Sequence, residues 1–298
     1  MCRGVTLPAM SWEFEPVAGP YEFTEGPVWD GTGVLFTDIP SSRVMRYDAG
    51  TGETAVYREG TNMANGLKLS PDGDLYACEM AGRRVARYTD GGDETVVDAF
   101  EGGRLNSPND LAFDSAGNLW FTDPFYATGN LDPETHGFDL DHRSVYRVDP
   151  ADPDSLTRMT YDTTNPNGLL ISPDDDYLYV AQSDYEGDLE FRAYPIEGDE
   201  VGEYEVLHNF HPHRAIDGMC LDEEGNVVAT AGYDEGGPGP MLYVFAPSGR
   251  VLETHPIDVP RPTNCAFGGD DLRTLYVTGS SGELHRAETD RRGLLGAP

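Results

Sequence analysis

Lysine is nearly missing from this chain: Lys68 is the single one in 298 residues. Lysine and arginine together number 20 against 53 aspartates and glutamates, a formal net charge of −33. That shortage of positive charge excludes a default grip on a phosphate backbone and disfavours docking on anionic membranes, so neither nucleic acid nor membrane is expected as a partner. No apolar run approaches the ~20 residues of a membrane span. The start, Met1-Cys2-Arg3-Gly4-Val5-Thr6, reaches Trp12 without a long apolar stretch. It predicts no secretion signal and a cytoplasmic location. Cysteine is sparse, and Cys2, Cys78, Cys220 and Cys265 show no close spacing. They predict ordinary reduced thiols rather than a disulfide framework or a zinc site. No segment carries an apolar stripe at helical spacing. Disorder is excluded too, because aromatics make up 10% and apolar residues 38% of the chain.

The acids are spread along the whole chain rather than gathered in a tail. Self-repulsion at this charge destabilises a compact state at low ionic strength. At ~1 M salt the Debye length falls to ~3 Å and most of that repulsion is screened. The composition therefore predicts a protein suited to a high-salt cytoplasm, as in a halophile. The charge speaks about solvent rather than substrate.

One pattern recurs six times: an Asn, Asp or Glu, usually followed by Gly, then an apolar stretch, a turn, and an apolar-aromatic strand. The copies begin at Glu25, Asn65, Asn109, Asn167, Asp217 and Asn264, at steps of 40, 44, 58, 50 and 47 residues. With 35 Gly and 22 Pro, the punctuation is that of turns. Pro71-Asp72-Gly73 and Ser115-Ala116-Gly117 read as hairpin turns between the first two strands of their repeats. A period of 40–50 residues built from about four short strands is the signature of propeller blades. The prediction is an all-β, six-bladed β-propeller occupying residues 1–298 as one domain. The long third interval predicts a polar loop around Ala127–Arg143 over one mouth of the channel.

Equivalent positions of successive blades face the same channel, so the six leading residues belong together. Every one has a side-chain oxygen. Oxygen ligands converging on an axis suit a hard cation such as Ca²⁺ or Mg²⁺. Two carboxylates among neutral amides balance one divalent ion and leave positions for water and substrate. Asn-Gly and Asp-Gly are also turn dipeptides. That chemistry covers part of the ring but not Glu25, since Glu is a poor turn residue. Asn65 and Asn264 are expected to support the site rather than ligate.

At these residues the chain resembles the senescence-marker-protein-30/gluconolactonase family of six-bladed propellers. The likeness is carried by Glu25-Gly26-Pro27-Val28-Trp29, by Ser107-Pro108-Asn109-Asp110 with Phe121-Thr122-Asp123-Pro124, by Asn167-Gly168, by Asp217-Gly218-Met219, and by Thr263-Asn264-Cys265-Ala266-Phe267-Gly268-Gly269. It spans roughly residues 20 to 286. The resemblance implies one divalent metal held at Glu25, Asn167 and Asp217, with Asn109 either joining them or touching substrate. It implies hydrolysis of a sugar lactone. Animal members carry an Arg two residues before the Asn matching Asn109; here Ser107 stands there, and Arg104 is the nearest arginine for a substrate contact. The Ser-Pro-Asn-Asp and Thr-Asp-Pro-Phe-Tyr forms are more similar to the bacterial branch.

Lactone hydrolysis needs carbonyl polarisation, an activated water and a place for the oxyanion. A channel cation supplies the first and third; Ca²⁺ leads the expectation, with Mg²⁺, Mn²⁺, Fe²⁺ or Zn²⁺ as alternatives. Asn109 is expected to orient the lactone. A carboxylate must take the proton from water. Asp217 is the candidate the resemblance implies, and Asp123 the alternative base or an anchor for a substrate hydroxyl. Asp123 could equally cap the turn it precedes. Asp38 and Glu79 end the equivalent strands and are expected to be structural. His211 and His213 precede the fifth motif and read as a solvated pair, a proton shuttle, or a source of nitrogen ligands. The substrate expected is a glucono-, xylono- or arabinonolactone, and the protein a monomer or small homo-oligomer. Against this stand a non-sugar lactone or phosphotriester as substrate, and a propeller that only binds.

Overall fold

Short apolar-aromatic pieces separated by Gly-rich turns become strands, and the strands group into six blade sheets with one small two-stranded sheet besides. The computed structural model describes residues 11–127 and 131–294. Blade 1 runs outward from the axis through Thr24–Trp29, Gly33–Asp38, Arg43–Asp48 and Thr54–Glu59. Blades 2 to 5 repeat this order, with innermost strands Ala64–Leu69, Leu111–Phe113, Pro166–Ile171 and Ile216–Leu221. In blade 6, Pro262–Gly268, Thr274–Gly279 and Leu284–Glu288 come from the end of the chain, and Glu15–Ala18 from its beginning supplies the outermost strand. The two expected hairpin turns stand where predicted: Leu69 faces Leu75 and Phe113 faces Leu119 across them. Gly73 and Gly117 take φ of +89° and +86° there, a region open to glycine at little cost. Among the described residues, no helix is long and apolar enough to cross a membrane.

The core lies in the seams between blades rather than in one centre. Leu35 and Val44 of blade 1 pack on Leu67, Leu75 and Ala77 of blade 2. Trp29 and Phe36 of blade 1 meet Tyr276 and Leu284 of blade 6. Hydroxyls staple the same seams near the axis. Thr37 donates to the Asn65 carbonyl at 3.0 Å, Thr230 to the Thr263 carbonyl at 2.8 Å, and Thr263 to the Thr24 carbonyl at 2.8 Å.

Five of the six leading residues sit on the innermost strands, and Asn109 lies two residues before its own; none is in a turn. In five blades the ladder between the first two strands breaks at this point, between Glu25 and Val28, Ala64 and Leu67, Pro166 and Leu169, Ile216 and Met219, and Pro262 and Cys265. A β-bulge re-aims side chains, and here it recurs at the residue that faces the channel. The glycines that follow serve close approach instead of a turn. A Cβ on Gly168 would stand 2.4 Å from the Asp217 carbonyl oxygen, and one on Gly66 would stand 2.7 Å from that of Asn109. This corrects the turn-dipeptide reading: the blades pack too closely at the axis for any side chain at these positions.

The insertion is more ordered than a polar loop. Residues 128–130 lie outside the described ones. Pro133–His136 forms a short helix, with Asp132 accepting the Glu134 N–H at 2.8 Å. Leu131 packs, like Phe23, on the cluster of Ile39, Met63 and Met80. His136 is tilted against Phe125 and Phe138 and bonds the Asn106 carbonyl at 2.6 Å. The segment thus covers blades 1 to 3 on the face where the leading residues emerge.

Candidate functional site

The bulges bring the ring together at one end of the channel. Glu25, Asn65, Asn109, Asn167 and Asn264 are buried, and Asp217 is partly exposed. Asn167 Nδ2 donates to Asp217 Oδ1 at 2.7 Å, which leaves the Asn167 carbonyl oxygen free of that bond. Asn264 Nδ2 donates to Glu25 Oε2 at 3.1 Å, and the Gly26 N–H donates to the same oxygen at 2.6 Å. Asn65 Nδ2 turns to Met80 Sδ at 3.4 Å. The Asn109 backbone is fixed by bonds to Gly66 and Thr122.

Two members were not foreseen. Asp110 is buried beside the ring, with its Oδ2 3.5 Å from Asn264 Nδ2. It occupies the place that is glycine in four other blades (Gly26, Gly66, Gly168, Gly218), so a break in the repeat was the signal for it. Arg214 is buried, donates to the Gly232 and Pro262 carbonyls at 2.9 and 3.1 Å, and pairs with Asp217 Oδ2. It stands outside the repeat, and nothing in the sequence marks it.

The electrostatics are those of crowded carboxylates. Burial pushes the Glu25 carboxyl well above its ordinary range, and the negative charges of Asp217 and Asp110 push it further. Burial raises Asp110 to about 6, opposed mainly by Lys68. Asp217 is raised by burial against the pull of Arg214. Of the three carboxylates only Asp217 is paired with a buried guanidinium, and Asp110 feels Lys68 at a distance, so the cluster carries more negative than positive charge when all are ionised. Among the described residues no cluster of three His, Cys, Asp or Glu has metal-binding spacing; the donor set instead mixes carboxylates with amides. Glu25, Asp217 and the amide oxygens of Asn109 and Asn167 fit a hard divalent cation in charge and in donor chemistry.

Other expected site residues go elsewhere. Asp123 is fully buried behind the ring rather than at the mouth. Its Oδ2 accepts from the Asn106 N–H at 2.8 Å and Nδ2 at 3.1 Å, and its Oδ1 accepts from the Ser107 N–H at 2.7 Å. Burial raises it to about 7 against those bonds. The same clamp recurs in other blades. Asp38 Oδ1 accepts from the N–H groups of Glu22 and Phe23 at 3.1 and 3.4 Å. Gln182 Oε1 accepts from those of Thr164 and Asn165 at 3.3 and 3.4 Å. In each case the donors lie three and two residues before the leading residue. This corrects the expectation for Asp123: its oxygens hold the backbone that presents Asn109 and do not face a substrate. Glu79 is likewise internal, bonded to Asn62, Arg84 and Tyr88.

Arg104 is exposed and lies in a two-residue hairpin strand paired with Ala99–Phe100. Its guanidinium donates to the Gly82 carbonyl at 3.3 Å and its N–H to Asp139 at 3.1 Å. Those bonds tie it to the rim rather than to Asn109, which corrects its assignment to substrate. His211 is exposed, and His213 lies against Gly237.

A six-bladed propeller with a ring of oxygens at one end of its channel is the class that fold and site define. The chain belongs to the SMP-30/gluconolactonase/LRE-like family, whose model matches residues 23–281. It is 29% identical to a gluconolactonase of Zymomonas mobilis over 91% of this chain and 80% of that one. It is 29% identical to the pentonolactonase XacC of Haloferax volcanii over 91% and 88%. A solved gluconolactonase of Xanthomonas campestris superposes with a TM-score of 0.82 at 29% identity, over 93% and 89%.

Proposed function

We propose that this protein hydrolyses a sugar lactone to its aldonic acid with the help of one divalent metal ion. The observation that carries the reading is the pairing of Glu25 and Asp217 carboxylates with the Asn109 and Asn167 amides around one channel mouth. Its gluconolactonase and pentonolactonase relatives support the substrate class.

Glu25, Asn109, Asn167 and Asp217 would hold the ion, and Ca²⁺ is the first choice for all-oxygen donors. When bound it supplies polarisation of the lactone carbonyl and charge for the developing oxyanion. Asn264 and the Gly26 N–H hold one Glu25 oxygen in place. Asn167 and Arg214 hold both oxygens of Asp217. Asp217 is the base that takes a proton from the attacking water, and Arg214 keeps its orientation. Asn109, on a backbone clamped from behind by Asp123, orients the lactone. The insertion, through Leu131 and the His136 cluster, shields the site from bulk water.

The test uses protein stripped by a chelator in ~2 M KCl, where the acidic surface is screened. Proton release from pentono- and hexonolactones is followed with and without Ca²⁺, Mg²⁺, Mn²⁺, Fe²⁺ or Zn²⁺. Metal-dependent hydrolysis above the spontaneous rate is the expected result. Folded protein that accelerates none of them with any cation would overturn the reading and favour a non-sugar ester or a binding propeller.

A further inference from the structure

The cysteines far apart in sequence are not far apart in space. Cys220 and Cys265 are separated by 45 residues, yet their sulfurs lie 3.5 Å apart. They stand on the innermost strands of blades 5 and 6. Like Asp110, Cys265 replaces the glycine that follows the leading residue in four other blades. Both thiols line a channel cavity of about 420 Å³ that extends to Trp29, Leu69 and Phe267. Those three lie toward the far ends of their strands, so this cavity opens away from the oxygen ring. Cys220 is partly exposed there, whereas Cys265 is buried. A disulfide closes at about 2.05 Å, so the sulfurs need to approach by only about 1.5 Å.

We propose that Cys220 and Cys265 are a redox-active dithiol, a modification site that a low-molecular-weight disulfide reaches through this far mouth. The Cys220 thiolate attacks one sulfur of the small disulfide, forms a mixed disulfide and releases one thiolate. Cys265 then attacks the Cys220 sulfur, its proton passes to the departing thiolate, and the second small thiol leaves. Two protein thiols are oxidised to one disulfide while one small disulfide is reduced to two thiols. Cys220 acts first because it is the more accessible partner, while burial keeps the Cys265 thiol protonated until its neighbour is activated. Cys78 is a built-in control: it is fully buried in blade 2, and among the described residues its sulfur pairs with no other. This inference stands independently of the lactonase reading.

The experiment incubates the full chain with oxidised glutathione in ~2 M KCl, quenches with acid, alkylates and maps the peptides. The expected result is a cross-linked pair of peptides carrying Cys220 and Cys265, with Cys78 still alkylated. C265S is expected to stop at glutathione on Cys220, and C220S to leave Cys265 unmodified. Wild-type protein that keeps glutathione on Cys220, or leaves both thiols free to alkylate, would overturn the proposal. So would C220S that takes glutathione on Cys265. C220S also keeps the test decisive if C265S does not fold.

Discussion

Asp123 Oδ1 accepts the N–H of Ser107 at 2.7 Å, two residues before Asn109. The same carboxylate takes both donors of Asn106. Three N–H groups converging on one buried side chain define a clamp, and blades 1 and 4 hold Glu25 and Asn167 by the same device.

Replacing Asp123 by Asn turns an NH₂ group toward N–H donors that need an acceptor. D123N is expected to cost about 1–3 kcal/mol of stability, read by denaturant unfolding in ~2 M KCl. Turnover should fall with the loss of order around Asn109 but not vanish. Unchanged stability with activity abolished would instead make Asp123 the base.

Removing the guanidinium takes away the one ion pair made by Asp217 and leaves Glu25, Asp110 and Asp217 with weaker compensation. R214Q is expected to lose about 3 kcal/mol without metal, as when one partner of a buried pair is deleted. Added Ca²⁺ should then raise its melting temperature more than it raises the wild type's, because the ion takes over the charge that Arg214 offset. Equal shifts in the two proteins would count against a cation at this ring.

Gly168 packs its Cα where the Asp217 backbone passes. G168A places a methyl 2.4 Å from that carbonyl, and the blade cannot move without breaking its seam. A loss of about 3 kcal/mol or more is expected from such overpacking, with Asp217 displaced and turnover lost with it. Wild-type thermal stability in G168A would contradict the packing.

The buried carboxyls also set a pH dependence. Glu25, Asp110 and Asp123 have folded pKa values above those of the unfolded chain. The folded state therefore binds more protons than the unfolded one between pH ~4, the unfolded value, and about 7, where Asp123 titrates. The stability these groups contribute is greatest at the acid end and is lost as pH rises through the folded values. Chelated protein in ~2 M KCl should unfold at lower denaturant at pH ~8 than at pH ~5, a window set by these shifts. A saturating divalent cation should flatten that slope.

A formal charge of −33 predicts a salt requirement. The melting temperature should climb steeply between ~0.1 and ~2 M KCl as the Debye length shrinks from ~10 Å to under ~3 Å. A midpoint independent of KCl would sink the high-salt reading.

The propeller was legible because its repeat is written six times, and each leading oxygen keeps its place in that repeat. Asp110 was legible only as an exception, a carboxylate where its counterparts are glycine. Arg214 was not legible, since its value lies in reaching Asp217 and two carbonyls of neighbouring strands. Asp123 was visible but its job was not, because a side chain that bonds backbone N–H groups looks, in sequence, like one that awaits a substrate. Cys220 and Cys265 became neighbours only when the innermost strands of two blades were set side by side.

Glu15–Ala18 completes the sixth sheet by pairing with Leu284–Glu288, and Glu25 lies seven residues beyond its end. The two ends of the chain thereby act as a clasp. Prising it open would fray the outer edge of blade 6, while Glu25 stays paired with Thr37 in its own sheet and Thr24 stays bonded to Gly279 and Thr263. The clasp therefore closes the circle of blades from its outer edge, while the axis beside the site is fastened separately by bonds between the innermost strands.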